Sequence, residues 1–525
     1  MKIQSKAKRN RNFKLPTEYK LNPMSTFFAD LHCHSSMFPF NQMERTVWHE
    51  RFYPLFPSEG DFIKLAKGGV RVLFLSLYPI EQGFLTINQL GLKTGDISDA
   101  LAYLILNMPK ERADEIQSYE HNYFNDLFNE YDFLRRFADP YEENVHLNLF
   151  KKRKFKFRIA ANFDDLNSFL NFDSDLNPNP ASDNTIGVIL TIEGAHSLGV
   201  GQLNTLGLDY TDLSSIIKEN ITALKKMGPA GKEGLHCPFF ITLSHHFWNQ
   251  LGGHAVSLWN ILRKVFDQNT GINEGITDLG KLAIDELLSK DNGKRILIDV
   301  AHMSVKVRQW FYQTYLPERQ LLTGEKIPVI VSHTGVNGFA TIAESEMQGT
   351  PETIHDVADE LYNNSKKFNP WDVFISDEEI MYIHKSGGLI GLNLDERIMM
   401  GKEVLESTKK RARFKFPQTA RIIWIEPLIE EILHIAGSIY IKTLDENVIW
   451  DNICIGSDYD GMITPIKAYR NANKFPKLNI MIFKRLRKRI NTEQFLTNKT
   501  DSEIWEITDR IVWKNALRFL KKHYN

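Results

Sequence analysis

The sequence predicts an α/β chain folded as a (β/α)8 TIM-type barrel with helical insertions over the barrel mouth. Three observations carry that expectation. Eight apolar, β-rich runs follow one another along the 525 residues. Helical signals alternate with them, which is the pattern of a parallel sheet closed by crossover helices. Six of the runs end in histidine or acidic residues, and a parallel barrel collects its polar chemistry at the C-terminal ends of its strands, where these converge on one open mouth.

In chain order the strands are expected near 27–34, 71–79, 185–194, 238–245, 295–301, 328–332, 387–393 and 452–457. They end in Asp30-Leu31-His32-Cys33-His34, Tyr78-Pro79, Glu193-Gly194-Ala195-His196, Ser244-His245-His246, Asp299-Val300-Ala301-His302, Ser332-His333, Gly391-Leu392-Asn393 and Asp458-Tyr459-Asp460. Helical periodicity is clearest in Asp278 to Lys290, stopped by Asp291-Asn292-Gly293, and in Thr419 to Gly437. Thr500 to His523 reads as a further amphipathic helix. The segment from about 91 to 180 is too long for a plain loop and is expected to be a mostly helical insertion over the mouth. A second insertion, about 338 to 376, contains Gly, Pro and paired Asn. The organisation is thus a polar N-terminal arm, 1–25, followed by one elaborated barrel domain, 26–525.

Hydrophobic residues at 42% and charged residues at 25% supply an ordinary globular core. A net charge of -1 gives no electrostatic case for nucleic acid or an anionic membrane as partner. The basic clusters Lys6 to Lys14, Lys151 to Arg158 and Lys484 to Arg489 read as solvated loops and helix faces. Cys33, Cys237 and Cys454 lie in or beside strands without the spacing of a disulfide scaffold or a thiolate metal site, so they read as buried small hydrophobes. The N-terminal stretch is basic and polar, and no run approaches 18 apolar residues. A soluble protein of a reducing cytoplasm is expected.

Residues two apart on a strand share a face, so His32 and His34 point together and can chelate one ion. Glu193 ends an apolar strand, where a lone carboxylate is costly to bury and where it can bridge two cations. His302 and His333 end successive strands and can hold a second ion. His196 and His246 stand past their strand ends and fit supporting or structural roles. Asp458 follows the apolar strand Ile453-Cys454-Ile455 and a Gly456-Ser457 turn, within reach of a water at such a centre, whereas Asp460 and Gly461 fit the turn itself. The downstream ligands of an EF-hand loop are missing.

These pieces together resemble the membrane dipeptidase (renal dipeptidase-like) metallopeptidase family of the amidohydrolase superfamily. The matching segments are Ile192-Glu193-Gly194-Ala195-His196, Ile241-Thr242-Leu243-Ser244-His245, Gly275-Ile276-Thr277-Asp278-Leu279-Gly280, Leu297 to Ser304, Pro328 to His333 and Gly456-Ser457-Asp458-Tyr459-Asp460-Gly461, with Val512 to Arg518 resembling the closing helix. The resemblance implies two divalent metal ions, Zn2+ by preference, and cleavage of dipeptides or similar small amides through a hydroxide that the two cations share. It implies that His32 binds the first zinc, Glu193 bridges, and His302 with His333 bind the second. His245 would then stand near the substrate carbonyl and stabilise the oxyanion, and Asp458 would shuttle the proton as general base and then acid. Family members are often homodimers.

Two departures stand out. His34 occupies a place where the family has Asp, giving His-x-His, a pattern common elsewhere in the superfamily. The family also has a carboxylate-clamping arginine about a dozen residues beyond the equivalent of His333. Here Gly338 to Glu346 contains none, so another residue holds the substrate's carboxylate or the substrate lacks one. Asp30-Leu31-His32-Cys33-His34-Ser35 also resembles the opening motif of the polymerase and histidinol phosphatase phosphoesterases, although no basic cluster for phosphate ends a strand. A non-catalytic ligand-binding barrel is the other alternative.

Overall fold

The computed structural model describes residues 27–48, 58–85, 108–148, 150–179, 184–258, 262 and 266–525. The expected arm at 1–25 and the basic cluster Lys6 to Lys14 lie outside the described residues. Among the described residues there are ten strands: β1 Phe28–Cys33, β2 Val70–Leu77, β3 Glu143–Asn148, β4 Lys151–Ile159, β5 Thr185–Ile192, β6 Phe240–Thr242, β7 Leu297–Asp299, β8 Ile330–Thr334, β9 Leu389–Leu392 and β10 Ile453–Ile455. Eight of them pair in parallel in the order β1-β2-β5-β6-β7-β8-β9-β10. Each coincides with one of the eight runs picked out above. They are apolar almost throughout because a barrel strand is covered on one face by packed side chains and on the other by helices.

The barrel closes just past β10. Asp458 N donates to His32 O at 2.9 Å and His34 N to Tyr459 O at 2.9 Å, so the first strand and the segment after the last one share a ladder at the mouth. Two buried carboxylates stitch strands from within. Asp30 accepts from Ser457 N at 2.8 Å and Ser457 Oγ at 2.6 Å, tying β1 to the end of β10. Asp299 on β7 accepts from Thr242 Oγ1 at 2.7 Å on β6, and from Ser332 N at 2.9 Å and Ser332 Oγ at 2.6 Å on β8. Two glycines are required by close approach. A Cβ on Gly391 or Gly456 would stand 1.8 or 1.9 Å from Ser332 O.

The helix Asp278–Leu288 begins at Thr277, whose side chain accepts from Gly280 N, and buries Leu279, Ala283, Ile284, Leu287 and Leu288, a 3.6-residue stripe facing the sheet. Each of its leucines contributes about 1.5–3 kcal/mol by leaving water. The helix expected over 419–437 runs farther, Pro417–Thr443, with proline at its first turn. Thr500 and Glu503 form a capping box for Asp501–Asp509, which continues through a π turn, Arg510–Lys514, into Asn515–His523. All three cysteines are free and buried. Among the described residues no helix is long and apolar enough to cross a membrane.

The first insertion differs from its reading as mostly helical. It holds helices Lys110–Gln117, Tyr123–Arg135 and Phe163–Leu170, but also the antiparallel hairpin β3–β4, and β4 then runs parallel beside the first half of β5. The reason is visible in β4. Phe155, Phe157 and Ile159 are buried while the lysines and arginines between them keep contact with solvent, so the basic cluster is the outer face of a strand with period two. The helix Tyr123–Arg135 is pinned to the mouth by buried Glu130, which accepts from Ser36 Oγ at 2.6 Å and Tyr78 N at 2.8 Å.

Candidate metal centre

Glu193, one residue past β5, stands between two pairs of imidazoles. In the first pair, His32 Nε2 and His34 Nε2 lie 3.0 Å apart, with Glu193 Oε1 3.5 Å from His32 and Glu193 Oε2 2.8 Å from His34. In the second, His302 Nε2 and His333 Nε2 lie 3.0 Å apart, at 3.6 and 3.4 Å from Glu193 Oε1. Nitrogens that bind one zinc at about 2.0–2.1 Å are themselves roughly 3.0–3.4 Å apart, so both pairs have the spacing of ligands around a cation. Two groups of possible ligands therefore share one carboxylate: His32, His34, Glu193 and Glu193, His302, His333. Five residues from four strand ends converge as the sequence suggested.

The donor atoms are buried and presented in the form a cation needs. Burial, reinforced by neighbouring imidazoles, pushes the His302 imidazole down to about 3 and His333 well below its ordinary value, which keeps both neutral. His333 Nδ1 faces Ser332 Oγ at 2.9 Å, and that hydroxyl donates to Asp299. The imidazole therefore carries its proton on Nδ1 and leaves the Nε2 lone pair for a metal. His34 differs: burial lowers it, but the carboxylates of Glu193, Asp458 and Glu130 together outweigh burial and raise it to about 9. A cation would have to displace that proton. Four imidazoles around a bridging carboxylate form a donor set suited to zinc and related borderline cations.

Asp458 faces the first pair, its Oδ1 3.7 Å from both His32 Nε2 and His34 Nε2. Its Oδ2 accepts from Asn393 Nδ2 at 3.0 Å. Burial and the charge of Glu193 raise its carboxyl well above the usual range. Asp458 and His302 adopt left-handed backbone conformations, φ 58° and 62°, uncommon outside glycine and concentrated at functional sites.

His245 reaches the same centre, with Nε2 3.6 Å from Glu193 Oε1. Its Nδ1 lies 2.6 Å from Glu81 Oε2, which also accepts from Tyr78 Oη at 3.0 Å, while Glu81 Oε1 accepts from Phe247 N at 3.0 Å. Burial alone would raise Glu81, but His245, His196 and these hydrogen bonds outweigh it and hold the carboxyl at about 2. Burial likewise opposes charge on His245, and Glu193 and Glu81 outweigh it and raise the imidazole. Glu81 was not singled out from the sequence; the only signal was a carboxylate three residues after the Tyr78 that ends the second run.

His196 Nε2 lies 2.8 Å from Pro79 O, and the residue is in none of the groups of possible metal ligands found among the described residues. His246 borders the cleft with Nδ1 on Ser257 Oγ at 2.7 Å, and is grouped with His245 and His302. Asp460, expected to serve its own turn, instead ties that turn to a distant segment, accepting from Ser58 Oγ, Glu59 N and Gly60 N. The stretch without arginine closes on itself, Ala340 N and Thr341 N donating to Glu344 Oε2. Arg397, beyond β9, instead borders the cleft that opens onto Glu193 and Asp458.

No family model matches the sequence, and no curated protein matches it. Among solved structures the chain is similar to a metallopeptidase from Rhodobacter sphaeroides liganded with a phosphinate mimic of the dipeptide L-Ala-D-Ala, at 12% identity and TM-score 0.49, covering 95% of this chain and 99% of that one. It is also similar to the probable dipeptidase PvdM from Pseudomonas aeruginosa, at 14% identity and TM-score 0.47, covering 94% of each chain. A third similar structure is an amidohydrolase from Pseudomonas aeruginosa, at 11% identity and TM-score 0.43, covering 96% of this chain and 98% of that one.

Proposed function

We propose that this chain is a zinc-dependent hydrolase that cleaves the amide bond of dipeptides or similar small amides. The observation that carries the reading is Glu193, whose two oxygens stand between two imidazole pairs, each with a nitrogen spacing of 3.0 Å. His32, His34 and Glu193 would hold one cation, and Glu193, His302 and His333 the other. Two divalent cations at such a centre supply a water acidified toward neutral pH and a polarised carbonyl.

The remaining steps fall to the chain's own groups. Asp458 Oδ1 accepts the proton of the attacking water and returns it to the departing amine nitrogen, while Asn393 holds the other oxygen still. An elevated carboxyl suits a group that must carry a proton between those events. His245, kept charged by Glu81, donates from Nε2 to the carbonyl oxygen as negative charge develops there. Neither a serine nor a cysteine nucleophile is needed.

The test is metal analysis of protein purified without chelator, followed by turnover of a dipeptide panel that includes D-residues and of phosphate monoesters. Two zinc ions per chain and amine release from peptides are the expected result. Phosphate release without amine release would overturn the reading in favour of a phosphoesterase. A metal-loaded protein inert to every substrate would overturn it in favour of a binding protein.

A further inference from the structure

From the loop that precedes the helix Pro417–Thr443 we infer a docking site for the surface of an anionic lipid bilayer, with Phe414 and Phe416 entering the lipid and the surrounding cations meeting its headgroups. The site lies outside the metal centre, and the inference does not depend on the hydrolase reading.

Neither phenylalanine is where the local fold would put one. Phe414 is 92% exposed and has φ 59°, a left-handed conformation that glycine and asparagine enter far more readily than an aromatic residue. Phe416 is 84% exposed and stands at the N-cap of the helix, where a Ser, Thr, Asp or Asn oxygen would accept from the first free N–H groups and a phenyl ring accepts nothing. The chain's own stability would favour a polar or small residue at both positions. Two aromatic side chains set against that preference, and turned to solvent, call for an apolar contact beyond the chain.

The surroundings fix the charge of that contact. Six basic residues and no acidic one occupy 409–421: Lys409, Lys410, Arg411, Arg413, Lys415 and Arg421. Among the described residues only Lys409 of the six has an ion-pair partner, Glu396 at 2.6 Å. The Arg413 guanidinium lies 4.9 Å from the centre of the Phe414 ring, so the loop carries charge against its apolar tip. Arg421 Nε donates back to Pro417 O at 3.1 Å, and burial together with the charges of Lys474 and Arg421 lowers the Lys477 ammonium, which places two further cations beside the base of the loop. The net charge of -1, taken over the whole chain, conceals this concentration.

The two features together select the occupant. A second copy of the chain, meeting the patch about a twofold axis, would set these cations against themselves. A single-stranded nucleic acid would satisfy the charge, but such strands are followed along a groove, and here residues 413–419 are all exposed on a projecting turn. A bilayer with anionic headgroups suits a convex tip of this kind, taking the rings into its acyl boundary and the guanidinium and ammonium groups at its surface. The helix leads to the start of β10, which runs parallel to β9, so its N-terminus lies at the mouth end of the barrel. Tyr469, past the end of β10, marks the same end by donating from Oη to Arg421 O at 3.4 Å. A bilayer that takes the tip therefore meets the barrel on the side where the cleft opens.

The experiment is sedimentation of the full chain with vesicles of phosphatidylcholine alone and of phosphatidylcholine mixed about three to one with phosphatidylserine. Binding to the mixed vesicles should exceed binding to the neutral ones by about tenfold or more and should weaken as salt is added. In the double variant Phe414→Asn, Phe416→Ser it should fall by about a hundredfold, about tenfold for each ring withdrawn from lipid. That variant keeps every cation, supplies a residue suited to the left-handed turn and a capping hydroxyl, and should melt at or above the wild-type temperature. A separate variant, Arg413→Gln, Lys415→Gln, should lose about twentyfold, near fivefold for each charge. Equal sedimentation with both vesicle types, binding unchanged by loss of the rings, or a double phenylalanine variant that melts well below wild type would each overturn the inference, the last by making the rings part of the fold. So would preference for a single-stranded oligonucleotide over the vesicles, or a dimer that the phenylalanine variant converts to monomer in a chain that binds no vesicle.

Discussion

Replacing Asp458 by Asn separates proton transfer from metal holding, and the structure sets what the substitution changes. The backbone at 458 has φ 58°, a conformation asparagine tolerates better than most residues, so the fold should bear the change with little loss. Asn393 Nδ2 donates to Oδ2 at 3.0 Å and so requires an acceptor there. The new amide must place its oxygen on Asn393 and its NH2 toward His32 and His34, where Oδ1 now stands 3.7 Å from both. A donor then replaces the acceptor to which the proposed mechanism sends the water's proton. General acid-base action contributes about 10²–10⁴-fold, equivalent to about 2.7–5.4 kcal/mol of barrier, and kcat should fall by that much. The assay is steady-state turnover of a cleaved amide beside zinc content by elemental analysis and a thermal melt. Turnover within a few fold of wild type, or a site emptied of metal with the melt unchanged, would refute the role given to Asp458.

Three other substitutions probe separate parts of the site and the fold. Glu193→Gln removes the carboxylate that both imidazole pairs share, so elemental analysis should find fewer than two ions per chain; full occupancy would show that the remaining groups suffice. Glu81→Gln leaves the donor set intact but removes the partner of His245 Nδ1, so activity should fall about 10–100-fold with metal retained, and an unchanged kcat would mean that His245 needs no orienting carboxylate. Glu431→Met tests a buried carboxyl on the helix Pro417–Thr443, which among the described residues has Val336 N at 3.4 Å from Oε1 and no hydrogen-bond partner for Oε2. Burial raises that carboxyl well above its ordinary value, so the native state keeps a proton that the unfolded chain gives up. The unfolded state then binds fewer protons, stability is lost as pH rises through the unfolded value near 4.3 toward the raised folded value, and the variant should gain over wild type at pH 8 more than at pH 5. Equal melting differences at both pH values would contradict this.

Much of the barrel was legible because its strands are buried on both faces, so each appears as a short apolar run whatever its neighbours. Even strands of three residues, β6, β7 and β10, were recognisable, since their flanking residues stay apolar. The hairpin was not. Six basic residues among the nine of β4 hid an alternation that places Phe155 and Phe157 inside, and a run rich in lysine reads first as a solvated surface. The long helix outran its prediction because Pro417 starts it and Pro427, normally a breaker, is accommodated within it.

The centre shows the same division. His32, His34, Glu193, His302 and His333 could be found because strand ends are the one part of a barrel whose position in space follows from position in the sequence. Glu81 and Arg397 stand in loops, and nothing local distinguishes them from surface polar residues; only the path of the chain brings Glu81 to His245 and Arg397 toward Asp458, while Asn393 ends the seventh run but carries no residue type that suggested a role. Asp458 is the intermediate case, because its place depends on closure of the barrel. Its own N–H bonds to His32 O, and Ser457 beside it holds Asp30, two residues before His32. The group proposed to move the proton and a group proposed to hold a metal are thereby adjacent rungs of the ladder that joins the first strand to the last. Loosening that joint by altering Ser457 or Asp30 would shift Asp458 against His32 without touching either, so the residues that close the barrel also set the distance on which the chemistry depends.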